Sequence, residues 1–218
     1  MPVENPSRRA GLGALLCLGL GLAAWGSSPE AAPRPARILV LGDSLSAEYG
    51  LPRGSGWVAL LEKRLSTRAQ KVQVINASIS GETTSGGVTR LPALLKQHRP
   101  THVVLELGAN DALRGLPIRA TQGNLSRLAR QSREAGAQVV LVGMMLPPNF
   151  GKRYAEDFAA IYPQVGKAES AKVVPFFLQG VGDRADARDW FQADGIHPLP
   201  KAHPIMLDNV WRALGPLL

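Results

Sequence analysis

Apolar residues recur along this chain in two alternating rhythms. Ile38 to Leu41 is a continuous aliphatic run that stops at Gly42, the pattern of a strand buried on both faces. Trp57, Leu60, Leu61 and Leu65 then repeat at helical spacing. Val72 to Ile75 predicts a second strand, Leu91 to Leu95 part of a second helix, and Val103 to Leu107 a third strand. Leu125 and Leu128 mark a helix that Gly136 should stop, and Val139 to Val142 a fourth strand. Tyr154, Phe158, Ile161 and Tyr162 share one face of another helix, which Pro163 is expected to kink or end. Val173 and Val174 begin a short fifth strand, and Ile205 to Leu214 reads as a closing helix. Strand and helix in strict alternation mean an α/β fold, with a parallel sheet covered by helices on both faces.

That topology says where chemistry belongs, because such sheets take ligands outside the carboxyl ends of their strands. Ser44 follows the first strand, Gly81 the second and Asn110 the third, so all three should share one rim. Near the C-terminus, Asp194 and His197 stand three residues apart, a spacing that lets a carboxylate reach Nδ1 of the imidazole on an ordered turn. A hydroxyl nucleophile, a base and an orienting carboxylate are what serine-based acyl transfer requires. Each residue alone has a plainer reading. Ser44 could cap a turn, Asn110 could be a turn residue, and His98, His102 and His203 are rival bases.

The set is more telling than its members. Gly42-Asp43-Ser44-Leu45-Ser46-Ala47, Asn76-Ala77-Ser78-Ile79-Ser80-Gly81, Leu91 to His98, Glu106-Leu107-Gly108-Ala109-Asn110-Asp111 and Asp194-Gly195-Ile196-His197-Pro198 follow one another in a fixed order. In these stretches the chain resembles the GDSL, or SGNH, hydrolases, and within them the bacterial thioesterase I / protease I / lysophospholipase branch, also described as arylesterases. The likeness runs from about Arg37 to the C-terminus. It implies a three-layer α/β/α flavodoxin-like sandwich with a five-stranded parallel sheet. It further implies Ser44 as nucleophile, His197 as base and Asp194 as its partner. The oxyanion hole is then the N–H groups of Ser44 and Gly81 with the side-chain amide of Asn110. Asp43 and Asp111 are expected to buttress their loops. The Gly-x-Ser-x-Gly elbow of the α/β-hydrolases is absent.

The first residues stand apart from this pattern. Arg8 and Arg9 precede an apolar run from Gly11 to Ala24, with Gly26, Ser27 and Ser28 after it, which reads as a secretory signal peptide over residues 1–26. The run is too short for a comfortable transmembrane helix, which needs about 20 apolar residues. Residues 27–36, rich in Pro and Ala, read as a linker, leaving 37–218 as the hydrolase domain and a periplasmic or secreted protein. Cys17 is the only cysteine and falls in the leader, so no disulfide supports the domain.

Net charge is +8, and its basic residues are scattered rather than gathered in a stripe. With aromatics at only 6%, nucleic-acid binding is disfavoured, while weak attraction to an anionic membrane surface is expected. No His/Cys/Asp cluster has metal-ligand spacing, so neither metal nor cofactor is expected. The expected partner is a small acyl ester or lysophospholipid, met by a monomer. The segment Met144 to Gly151 follows the fourth strand on the same rim, and Leu146 and Phe150 are expected to wall an acyl groove. Two other readings stay open: a carbohydrate-ester deacetylase using the same residues, and a non-catalytic lipid-binding module.

Overall fold

A computed structural model describes residues 35–68 and 71–218; the expected signal peptide and most of the linker lie outside them. The described strands are β1 (Arg37–Gly42), β2 (Gln73–Asn76), β3 (His102–Glu106), β4 (Gln138–Val142) and β5 (Lys172–Val174). The helices are α1 (Trp57–Ser66), α2 (Thr84–His98), α3 (Ala109–Leu113), α4 (Ile118–Glu134), α5 (Lys152–Ala168) and α6 (His203–Leu214). The strands form one sheet in the order β2-β1-β3-β4-β5, and every pairing is parallel. Helices α1 and α6 pack together on one face and α2, α4 and α5 on the other. The five-stranded α/β/α sandwich expected from the sequence is thus the observed fold.

The core explains why the aliphatic runs read so clearly. Ile38, Leu39, Val40 and Leu41 of β1 and Val103, Val104 and Leu105 of β3 are fully buried, because helices cover both faces of the central strands. Edge strand β2 is only half-buried, consistent with its weaker sequence signal. Trp57 and Leu61 turn the buried face of α1 to the sheet, and the Trp57 ring meets Phe177 edge-on at 5.7 Å.

Two elements depart from expectation. Helix α5 does not end at Pro163 but continues to Ala168. Pro163 sits on the exposed face, so the Ala159 carbonyl it leaves unbonded lies on the solvent side. The buried Phe158, Ile161, Tyr162 and Val165 anchor the helix before and after the proline. Helix α3 carried no periodicity because it is a single short turn, and Asn110 sits within it rather than in a plain turn.

The order β2-β1-β3 makes the junction of β1 and β3 the point where chain connections diverge to opposite sides of the sheet. Crevices for ligands open at such switch points. The segments bearing Ser44 and Asn110 leave these two neighbouring strands.

Candidate active site

Gly42 ends β1, and the next residues turn tightly, with the Ala47 N–H donating to the Asp43 carbonyl at 2.9 Å. Glycine is required at 42 because a Cβ there would lie 2.7 Å from both Glu106 Oε2 and Ser46 Oγ. Across the site, residues 190–199 form a looped-back segment. The Leu199 N–H donates to the Trp190 carbonyl at 2.8 Å and the Gln192 N–H to the His197 carbonyl at 2.7 Å. Within this loop the Asp194 carboxylate accepts the N–H groups of Ile196 at 2.9 Å and His197 at 3.0 Å.

The loop delivers the imidazole to the serine. His197 Nε2 lies 2.9 Å from Ser44 Oγ, and His197 Nδ1 lies 2.7 Å from Asp194 Oδ2. The His197 N–H bond, followed by the ring contact, lowers the Asp194 pKa to about 2, so the group is ionised at neutral pH. With a carboxylate on Nδ1, the ring carries its proton there and offers Nε2 as acceptor toward the hydroxyl. Tyr49 stacks on the imidazole with ring centroids 4.3 Å apart. Gln192 Nε2 donates to the Tyr49 carbonyl at 2.9 Å, tying the serine loop to the histidine loop.

The donors gather on the same rim. Asn110 Nδ2 donates to Asp43 Oδ2 at 3.0 Å, which fixes the amide and leaves its second N–H available. Gly81 has φ +78°, a left-handed conformation that glycine adopts without strain, and Arg114 Nη2 donates to its carbonyl at 2.9 Å. Neither the Ser44 nor the Gly81 N–H is spent on a protein acceptor among the described residues.

Beneath Ser44 lies a buried carboxylate pair that sequence reasoning missed in part. Asp43 also accepts the Leu45 N–H at 3.0 Å, while Glu106 Oε2 accepts Ser46 Oγ at 2.6 Å and the Asp43 N–H at 3.2 Å. Trp57 Nε1 donates to Ser46 Oγ at 3.0 Å. Burial pushes the Asp43 pKa up to about 6, and burial together with the Asp43 charge raises Glu106 well above the carboxylate range. Of the pair, Glu106 is therefore the more strongly driven toward its protonated form and Asp43 the more readily ionised. Asp111 buttresses as expected, accepting the Thr84 N–H at 2.9 Å and the Thr84 hydroxyl at 2.5 Å, which ties α3 to the start of α2.

The rival histidines are engaged elsewhere. Buried His203 accepts the Trp57 N–H on Nδ1 at 3.0 Å at the start of α1, and burial lowers its pKa. His102 bonds the Leu217 carbonyl at the amino end of β3, and His98 is the last residue of α2. Leu146 and Phe150 leave the carboxyl end of β4, two strands across from Ser44, both half-buried. Tyr49, Gln192 and Glu106 carry no sequence signal of their own, since each matters only through a neighbour distant in the chain. The concavity lined by Lys172, Val174, Pro175, Gln179, Asn209 and Arg212 lies at the far sheet edge and includes none of these residues. No cluster able to hold a metal ion occurs among the described residues.

Residues 40–205 match the GDSL-like lipase/acylhydrolase family. The chain is 51% identical to esterase TesA of Pseudomonas aeruginosa over 181 residues, 83% of this chain and 89% of that one. It is 42% identical to thioesterase 1/protease 1/lysophospholipase L1 of Escherichia coli K12, covering 83% of this chain and 84% of the relative. Against a crystal structure of TesA the TM-score is 0.80 at 50% identity, covering 84% of this chain and 99% of that one. A Pseudoalteromonas esterase, EstA, solved inhibited by monoethylphosphonate, superposes with TM-score 0.77 at 41% identity, covering 83% and 97%.

Proposed function

The chain belongs to the GDSL-like lipase/acylhydrolase family, and from that premise we propose that it hydrolyses carboxylic esters and thioesters through an acyl-enzyme on Ser44. It is an ester hydrolase of the esterase, thioesterase and lysophospholipase type. Ser44 Oγ attacks the acyl carbon while His197 Nε2 takes its proton, and Asp194 steadies the imidazolium that results. Charge building on the carbonyl oxygen is met by the N–H groups of Ser44 and Gly81 and by the free amide N–H of Asn110. His197 then gives its proton to the departing alkoxide or thiolate. Water, deprotonated by the same nitrogen, cleaves the acyl-enzyme and regenerates Ser44.

The observation that carries this reading is the unbroken line from Ser44 Oγ through His197, 2.9 Å on one side and 2.7 Å on the other, to Asp194. Leu146 and Phe150 wall the acyl side of the cleft in this proposal. A series of p-nitrophenyl esters from acetyl to palmitoyl, with acyl-CoA and lysophosphatidylcholine, tests both parts. Hydrolysis across the series should vanish in Ser44→Ala, and Phe150→Ser should weaken long acyl groups more than acetyl. Equal losses at all lengths would remove Phe150 from the groove, and cleavage of acetyl esters alone would favour a deacetylase.

We further propose that the domain acts outside the cytoplasm as a monomer. The basic and apolar leader pattern supports export, and no helix among the described residues is long and apolar enough to cross a membrane. Amino-terminal sequencing of protein from the periplasmic fraction tests export: a chain beginning near Ser27 supports it.

A further inference from the structure

The large apolar side chains left exposed among the described residues are Tyr49, Ile79, Leu113, Leu116, Met145 and Ile196, each 38–49% accessible. They are far apart in sequence yet fall at one end of the molecule. Tyr49 lies on the segment after β1, Ile79 after β2, Leu113 and Leu116 after β3, Met145 after β4, and Ile196 beside His197. The opposite rim, where the chain enters the strands, carries none of them. Two join the site directly, Tyr49 by stacking on His197 and Ile196 as its neighbour. Core packing does not explain a set of side chains turned to solvent along one rim, and exposed apolar area gathered in this way marks an interaction surface.

The charges among these side chains specify the partner. Arg53, Arg114 and Arg119 stand exposed on the same segments and make no ion pair among the described residues. The acids nearby are engaged: Glu48 accepts the N–H groups of Gly54 and Gly56, Glu82 pairs with Arg90, and Asp194 holds His197. Apolar side chains on the same rim as guanidinium groups that lack a carboxylate partner match the surface of an anionic bilayer, where apolar groups enter the acyl boundary and cations meet phosphate. We propose that this collar docks on an anionic phospholipid bilayer and seats the mouth of the site on the lipid. An acyl ester then moves from the membrane to Ser44 without crossing bulk water. The inference rests on acyl-ester hydrolysis at Ser44, and it adds where the substrate is met.

The test uses the full chain, with the same leader in every variant. Binding is measured in the Ser44→Ala background by sedimentation with vesicles of phosphatidylglycerol and phosphatidylethanolamine, and separately of phosphatidylcholine. Ile79→Ser with Leu116→Ser should weaken binding to anionic vesicles about tenfold. With Ser44 restored, the same pair should leave kcat/KM on dissolved p-nitrophenyl acetate within about twofold, which also reports folding. Arg53→Gln with Arg119→Gln should weaken anionic binding about tenfold, leave phosphatidylcholine binding unchanged, and be mimicked by added salt. Binding equal to the parent's in both pairs overturns the proposal. So does a concentration-dependent dimer, abolished by Ile79→Ser with Leu116→Ser, in a protein that ignores vesicles. Loss of p-nitrophenyl ester hydrolysis in the wild type would sink the acyl-hydrolase reading, a result separate from vesicle binding.

Discussion

The side-chain amide of Asn110 donates to Asp43 Oδ2 at 3.0 Å, so the residue beside the serine fixes the orientation of the amide proposed as the third oxyanion donor. Asp43 and Asn110 leave adjacent strands, β1 and β3, and their contact bridges the two segments at the switch point. Asp43→Ala frees the amide to rotate and also removes the acceptor of the Leu45 N–H beside Ser44. The loss should appear in kcat, about tenfold to a hundredfold, with KM nearly unchanged, because the interaction strengthens only as the oxyanion forms. Steady-state kinetics on p-nitrophenyl butyrate measure it. A rise in KM at constant kcat would mean that Asp43 shapes the binding site instead.

Asp43 also makes stability depend on pH. Burial raises its pKa from 3.8 to about 6, so between these values the folded chain keeps a proton that the unfolded chain releases. Its stabilising contribution is full below about pH 4 and lost as pH rises through about 6. Urea denaturation of wild type and Asp43→Asn should show the difference shifting in favour of the variant from pH 4.5 to pH 7. A constant difference would mean that Asp43 titrates normally.

Glu106 should behave as a neutral group. Burial raises its pKa and so favours the protonated form; Glu106→Gln keeps an oxygen for Ser46 Oγ and should change unfolding free energy by no more than about 1 kcal/mol. Glu106→Ala removes the acceptor of both Ser46 Oγ and the Asp43 N–H and opens a void, costing about 2–4 kcal/mol. Urea denaturation at pH 7 distinguishes the two. Equal costs would place a charge on Glu106.

Gly42 has no room for a side chain. The Cβ of Gly42→Ala would sit 2.7 Å from Glu106 Oε2 and Ser46 Oγ, both held in hydrogen bonds. Overpacking of this kind costs about 1–3 kcal/mol. Thermal unfolding should show a lower midpoint, with activity reduced through displacement of Ser44; an unchanged midpoint would show that the Glu106 side chain yields freely.

Much of this was legible in the residues, for reasons that differ by element. The runs at Ile38–Leu41 and Val103–Leu107 were clear because strands buried on both faces tolerate little but aliphatic residues. Ser44, Gly81, Asn110, Asp194 and His197 stood out as ordered motifs, and the shared rim of Ser44, Gly81 and Asn110 followed from strand–helix alternation alone. Helix α3 is too short to show a period, and the continuation of α5 past Pro163 depends on an exposed position that cannot be read locally. Glu106 opened one of the ordered stretches, but the sequence assigned it no role. Its role appears only when parallel pairing sets Glu106 beside Gly42. Tyr49 and Gln192 stayed silent because their partners lie 148 and 143 residues or so away along the chain, in contacts that only the folded loops create.

The most direct measurement is covalent. Wild type, Ser44→Ala and His197→Ala are treated with a fluorophosphonate, the adduct is mapped by mass spectrometry, and ester hydrolysis is followed in parallel. A single adduct on Ser44 is expected, absent in Ser44→Ala, with turnover in His197→Ala reduced at least about a thousandfold. Ester hydrolysis that persists in Ser44→Ala, or an adduct on another residue that abolishes activity, would contradict Ser44 as the nucleophile.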